Sequence, residues 1–307
     1  PLRRGGAEKA QVRTPDAKEG TDEAALPASP VAKPGRAQHT AVLALDHVTV
    51  AWPSPRKGEA DYVAVEDVSL CVERGEFVSV VGPTGCGKST LLNVAAGLLA
   101  PSGGTVFVSG QPLEGINRSA GYLFQGDALM PWRSARENVE AGLLFARVAP
   151  AVARERALGW LDRVGLRGFG DSYPHQLSGG MRKRVALAQM LVLEPRILLM
   201  DEPFSALDVQ TRQLMENELL ELWSSDRRSV VFITHDLEEA IALSDRVVLL
   251  SAGPRTRPIG EFRIDLPRPR DVSEIRLSPR FAELQVTIWR ALRAEVLRAY
   301  ARSEQRA

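Results

Sequence analysis

The hydrophobic pattern changes period repeatedly along the chain, and each change marks an element. Val42–Val50, Val63–Val72 and Glu76–Val81 read as strands, the last ending at a glycine loop. Thr90–Leu99 has helical composition and is stopped by Pro101-Ser102-Gly103-Gly104 before a strand at Thr105–Ser109. Gly121–Gln125 is a short strand, and helices follow over Ala135–Phe145, Ala151–Val164 and Met181–Leu191. Arg196–Asp201, Ser229–Thr234 and Arg246–Leu250 are short apolar strands, with helices at Val209–Ser225 and Leu237–Leu243 between them. Near-continuous apolar strands alternating with helices predict an α/β fold with a parallel sheet covered on both faces. The block from 135 to 191 is long enough to be a helical subdomain inserted into it.

The two ends differ from the centre. Residues 1–40 are rich in Ala, Pro, Gly and charge without a period, which predicts a disordered extension. Pro254, Pro258, Pro267 and Pro269 suit an extended linker. From Pro279 onward Phe281, Leu284, Ile288, Leu292, Val296 and Tyr300 recur at helical spacing, with Trp289 beside the stripe. Packing of that amphipathic helix on the main domain is its simplest role.

Composition narrows the function classes. The 307 residues carry 39 Lys/Arg and 38 Asp/Glu, a net charge of +1, so nothing chain-wide favours nucleic acid. Residues 41–253 are net −6, against +2 before them and +5 after, which also argues against a nucleic-acid groove. Cys71 and Cys86 cannot make a disulfide framework, which fits a reducing compartment. No apolar run approaches the ~18–20 residues of a membrane span, and the N-terminal stretch lacks the apolar segment of a signal peptide. The expectation is a chain that does not itself cross a membrane.

Residues 82–90 read Gly82-Pro83-Thr84-Gly85-Cys86-Gly87-Lys88-Ser89-Thr90, a G-x-x-x-x-G-K-[ST] pattern after an apolar strand and before a helix. Glycines let backbone N–H groups curl around a β-phosphate, and the helix N-terminus adds its positive dipole end. Lys88 would neutralise the β- and γ-phosphates, and Ser89 would offer its hydroxyl to Mg²⁺. Cys86 fills a variable position of the loop. Ile197–Met200 deliver Asp201 to the C-terminal end of a strand, where ligands bind in open α/β sheets and where it would hold Mg²⁺ through water. Glu202 follows at the strand tip, suited to act as general base on an attacking water. Together these features predict a nucleotide hydrolase.

Leu177-Ser178-Gly179-Gly180-Met181 narrows the class, because it resembles the LSGGQ signature of the ATPase subunits of ABC transporters. Ser178, Gly179 and Gly180, before a helix starting near Met181, form a second anion-binding helix N-terminus. In the family the signature of one subunit closes over ATP bound to the other. The resemblance therefore implies a homodimer with two ATPs at a head-to-tail interface, where Ser178, Gly179, Gly180 and Asp208 act in trans. Asp208 ends Ser205-Ala206-Leu207-Asp208, similar to the D-loop; Gln125 matches the Q-loop glutamine that contacts Mg²⁺ and the attacking water; His235 matches the switch histidine. The family stacks adenine on an aromatic residue near the first strand, a position that Trp52 fills more closely than Tyr62.

The resemblance covers roughly residues 42–250. It implies a P-loop NTPase with a RecA-like parallel-sheet core, a small antiparallel β subdomain and an inserted helical subdomain at about 126–191. The chain then divides into an extension at 1–40, the ATPase domain at 41–253, and a linker with an amphipathic helix at 254–307. Phe124–Arg133 and the tail from Leu266 resemble importers of the nitrate/sulfonate/taurine group, which has relatives that import pyrimidine precursors and aromatic acids. Implied partners are two integral-membrane permease subunits and an external substrate-binding protein. The implied location is peripheral, on the cytoplasmic face of the cell membrane. A soluble ABC ATPase of translation or DNA repair, and a non-hydrolysing P-loop protein, are the competing classes. The first usually carries two cassettes or long coiled-coil insertions; the second would not need Lys88, Asp201, Glu202 and His235 together.

Overall fold

A computed structural model describes residues 41–304 apart from Pro55, Lys57 and Glu59; the extension expected at 1–40 lies outside the described residues. Four strands form an antiparallel sheet: β1 (Leu43–Trp52), β2 (Tyr62–Val72), β4 (Gly103–Val108) and β5 (Gln111–Pro112), in the order β2-β1-β4-β5. A second sheet of six strands has the order β10-β9-β3-β8-β7-β6. Its members are β3 (Phe77–Val81), β6 (Ala120–Leu123), β7 (Ile197–Asp201), β8 (Ser229–Thr234), β9 (Arg246–Leu250) and β10 (Pro258–Arg263). All its pairings are parallel except β9–β10.

The period of two along each strand sends alternate residues to opposite faces. Phe77 and Val81 of β3 join a core with Met200, Phe232 and Leu249, while Val78 and Val80 join a second core with Leu199, Ile233 and Val248. The first core is covered by α4 (Gly179–Leu191), α5 (Val209–Asp226), α6 (Leu237–Leu243) and the terminal helix α8 (Pro279–Glu304). The second is covered by α1 (Lys88–Ala95) and the antiparallel sheet. A third core joins α4 to α2 (Ala135–Phe145) and α3 (Pro150–Arg163), forming the helical layer through Val139, Leu161 and Val185. Ser134 starts α2 with a reciprocal capping box to Glu137.

Three elements depart from the sequence expectations. The helix expected over 90–99 begins at Lys88 and ends at Ala95, because Gly97 turns the chain at φ 70° and Leu98 and Leu99 bond back to the Asn93 carbonyl. The helix expected from Met181 starts at Gly179, where the Ser178 hydroxyl accepts from the Met181 N–H. Part of the expected linker is strand β10. Proline is tolerated at the first position of such an edge strand, and Arg246 of β9 holds β10 by an ion pair to Glu261 while bonding Glu76. Beyond it lie the single turn α7 (Val272–Ile275) and α8, which buries Phe281, Leu284, Ile288 and Leu292 against the first core. Fully burying four such side chains contributes roughly 6–12 kcal/mol before entropy is counted. Among the described residues no helix is long and apolar enough to cross a membrane.

Candidate active site

Strand order builds the site. Val81 pairs with Thr234, and Asp201 with Ile233, so the residues that follow β3, β7 and β8 leave the sheet side by side at one edge. The loop after β3 turns into α1 through Gly85 and Gly87, at φ 75° and 101°. Both values lie in the left-handed region that glycine adopts freely. A side chain at Gly87 would also meet Val65 Cγ1 at 2.8 Å, so β2 packs directly beneath the loop. Thr84, Gly85 and Ser89 are exposed, whereas Cys86 is buried and burial pushes its thiol pKa up. A neutral, inert thiol follows.

Lys88 is only 4% exposed. Its Nζ donates to the carbonyls of Gly82 at 3.0 Å and Pro83 at 3.2 Å, and lies 3.6 Å from Glu202 Oε1. The ammonium thus closes the loop on itself. Ser89 Oγ donates to Asp201 Oδ1 at 3.0 Å. Burial raises the Asp201 carboxyl above its ordinary range, opposed by that hydroxyl. Two oxygen donors converging at the helix start suit a hard, oxygen-seeking divalent cation such as Mg²⁺.

Glu202 is where the sequence-predicted residues meet. Its Oε2 is 3.0 Å from His235 Nδ1 and accepts from Gln125 Nε2 at 3.5 Å. Gln125 follows β6, the strand beside β7. Glu202 itself has φ 43°, a conformation that costs a non-glycine residue of order 1 kcal/mol. Its N–H donates to the Ile233 carbonyl at 2.9 Å, and the Ser205 hydroxyl donates to its carbonyl at 2.9 Å. Those bonds fix the turn and aim the carboxylate back across the site.

Other predicted residues lie elsewhere. Ser178, Gly179 and Gly180 open α4, and a side chain on Gly180 would approach Thr211 Cγ2 to 3.0 Å. Asp208 caps α5 by accepting from the Thr211 N–H at 3.0 Å, which holds its carboxyl below the usual range. Signature and D-loop are therefore neighbours, but they make no hydrogen bond to the loop at 82–90 among the described residues. Trp52 and Tyr62 are direct partners across the β1–β2 hairpin, with rings stacked at 6.1 Å between centroids. A cleft of about 1160 Å³, bordered by Pro83, Thr84, His235, Leu237 and Trp289, places α8 along the site's margin.

Sequence reasoning missed Lys183. It is 3% exposed, and its Nζ donates to the Gln125 carbonyl at 2.7 Å and lies 3.2 Å from Asp127 Oδ1. The adjacent Arg182 donates to Asp127 Oδ2 at 2.8 Å. The signal was a cation at the edge of an apolar helical run. Behind His235, Glu239 is buried, its Oε2 on the Thr234 hydroxyl, and burial pushes its carboxyl up to about 8.

Comparison with known proteins identifies the family. The sequence profile described as ABC transporter matches residues 65–205. A nitrate import ATP-binding protein of Synechococcus elongatus is 42% identical over 250 residues, covering 80% of this chain and 90% of that protein. A taurine import ATP-binding protein of Yersinia pestis is 47% identical over 191 residues, covering 62% of this chain and 75% of that protein. An ATP-binding cassette solved as a dimer in a post-hydrolysis state with ADP and Pi superposes with a TM-score of 0.65 at 33% identity, covering 73% of this chain and all of that one. With its parallel core, antiparallel sheet and helical layer, this chain belongs to the ABC transporter family, as one of its ATP-binding ATPase proteins.

Proposed function

We propose that this chain is the ATPase subunit of an ABC importer that takes up a small oxyanion-bearing solute, either nitrate or a sulfonate such as taurine. The observation that carries the catalytic reading is the convergence of Lys88, Gln125 and His235 on the Glu202 carboxylate. In this reading the loop from Gly82 to Thr90 wraps the phosphates, and Lys88 exchanges its two loop carbonyls for phosphate oxygens. Ser89 and Asp201, with Gln125, would hold Mg²⁺, which supplies charge neutralisation at the β- and γ-phosphates. Glu202 takes the proton from a water as its oxygen bonds to the γ-phosphorus and the bond to the β-bridging oxygen breaks. His235 turns from Glu202 toward the γ-phosphate.

Ser178, Gly179, Gly180 and Asp208 then serve the nucleotide of a second copy. Two facts support this: they lie together, and among the described residues they make no hydrogen bond to the loop of their own chain. The dimer sits on the cytoplasmic face of the membrane against two permease subunits, with an external binding protein delivering solute. Closure on ATP and reopening after hydrolysis bias the permease between its two states. The solute class rests on the nitrate and taurine import relatives and on the segment Phe124–Arg133.

Calorimetry of the cognate binding protein against a panel of anions and pyrimidines tests the solute. Tight binding of nitrate or a small sulfonate is expected. Tight binding of a neutral pyrimidine alone would overturn the solute class and leave the ATPase reading standing.

A further inference from the structure

The loop after β9 returns to the underside of the phosphate-binding loop, and one buried hydroxyl joins the two. Thr256 has no exposed surface. Its N–H donates to the Ala64 carbonyl at 3.0 Å, and its carbonyl accepts from the Glu66 N–H at 2.9 Å, so it is stitched to β2 on both sides. Its hydroxyl donates to the backbone carbonyl of Cys86. Outside, Arg255 and Arg257 clamp Glu66 at 2.7 Å each. Gly253 fits so closely that a side chain there would come within 3.3 Å of Cys86 Cα and of the Gly85 carbonyl. The same loop is tied to α8, since the Ala252 N–H donates to Glu295 Oε2 at 2.8 Å.

A trans peptide is planar, with its C=O and N–H pointing in opposite directions. The Cys86 carbonyl belongs to the same peptide unit as the Gly87 N–H. Holding that carbonyl down onto Thr256 therefore aims the Gly87 N–H the other way, toward the mouth of the loop. Gly87, at φ 101°, has the freedom to let this peptide flip if nothing holds it. We infer that Thr256 is a positioning residue for nucleotide binding: its hydroxyl fixes the Cys86–Gly87 peptide so that the Gly87 N–H stays aimed at phosphate. This inference rests on the loop being the ATP site.

Three substitutions test it in the full-length protein. Thr256→Val keeps the shape and removes the donor, Thr256→Ser keeps the donor, and Thr256→Ala removes both. Affinity is read with a fluorescent ATP analogue, and KM and kcat with an ATPase assay. Thr256→Val is expected to lose about tenfold in ATP affinity, the scale of one buried hydrogen bond. KM rises in step while kcat at saturation holds, the pattern of binding lost equally in ground and transition states. Thr256→Ser stays within about twofold of wild type by the same scale.

A second readout separates loop disorder from general loosening. The labelling rate of the Cys86 thiol should rise in Thr256→Val while that of Cys71 stays constant. If the valine variant does not fold, the comparison of alanine with serine isolates the hydroxyl. Unchanged ATP affinity in Thr256→Val, or equal losses in serine and alanine, overturns the assignment. A wild-type protein that binds no ATP would instead overturn the site itself.

Discussion

Nδ1 of His235 stands 3.0 Å from Oε2 of Glu202, although 33 positions separate the two residues. The contact is made by the parallel pairing of β7 with β8, which sets both strand ends at one edge. Glu202 N–H, bonded to the Ile233 carbonyl, tightens the same crossing. The carboxylate faces an ammonium, an imidazole and an amide together.

Glu202→Gln keeps the shape of that centre and removes its base. Hydrolysis is expected to fall ~10²–10⁴-fold, the usual worth of general-base assistance. ATP binding survives, so the variant accumulates as an ATP-bound dimer on size-exclusion chromatography with Mg-ATP. Lys88→Ala fails one step earlier, at nucleotide binding. Near wild-type turnover in Glu202→Gln would remove this residue from the chemistry.

The head-to-tail pairing has its own test. Ser178→Arg, added to Glu202→Gln, places a bulky cation at the start of α4 and should abolish the trapped dimer while each chain still binds ATP. A dimer of undiminished stability, in the isolated protein and in the assembled transporter, would reject the arrangement.

Trp52→Ala is expected to weaken ATP binding about five- to a hundredfold, on the ~1–3 kcal/mol scale of base–aromatic stacking. The partner ring matters to the design of this experiment. Tyr62 is stacked on Trp52, so truncating either also uncovers the other. Titration of both single variants with a fluorescent ATP analogue decides between them. Loss in Tyr62→Ala alone would transfer the adenine contact to Tyr62.

Glu239 predicts a pH dependence of stability. It faces Thr234, Glu216, Asp236 and Arg212, and burial lifts its carboxyl to about 8. Glu216, on α5 and paired with Arg276 at 3.1 Å, is lifted by burial to about 7. Both hold protons in the folded chain that they have lost when unfolded, so stability falls as pH rises from about 4.5 towards 8. Glu239→Gln should flatten this decline. Denaturant unfolding at pH 5 and pH 8 should show wild type losing on the order of 1–3 kcal/mol more than the variant across that interval. Equal declines would mean that Glu239 is ionised throughout.

Most of the sheet was legible because β3, β7 and β8 are buried at every position, and such runs announce themselves without any partner. The phosphate loop, the acidic pair and the signature were legible because each needs particular residue types within a few positions. What the sequence concealed depends on partners far away in the chain. Strand β10 reads as linker, since Pro258 and Gly260 break its pattern, and its pairing with β9, with Arg246 bound to Glu261, reveals where it docks. Trp52 and Tyr62 present themselves as rivals because the hairpin register, shifted by irregularities at Val48 and Val50, decides that they meet. Lys183 looks like an ordinary surface cation until the Gln125 carbonyl is found above it.

That last bond makes Gln125 and the start of α4 parts of one stiff lever. In the head-to-tail pair proposed above, Gln125 would report on the ATP held by its own chain, and Ser178 on the ATP held by the other. Lys183 welds the two gauges together, with Arg182 and Asp127 bracing the joint. On the proposed pairing, a push delivered near the exposed Trp132, seven residues beyond Gln125, is expected to act on both nucleotides at once. So joined, the proposed pair of sites is geared to open on a single stroke.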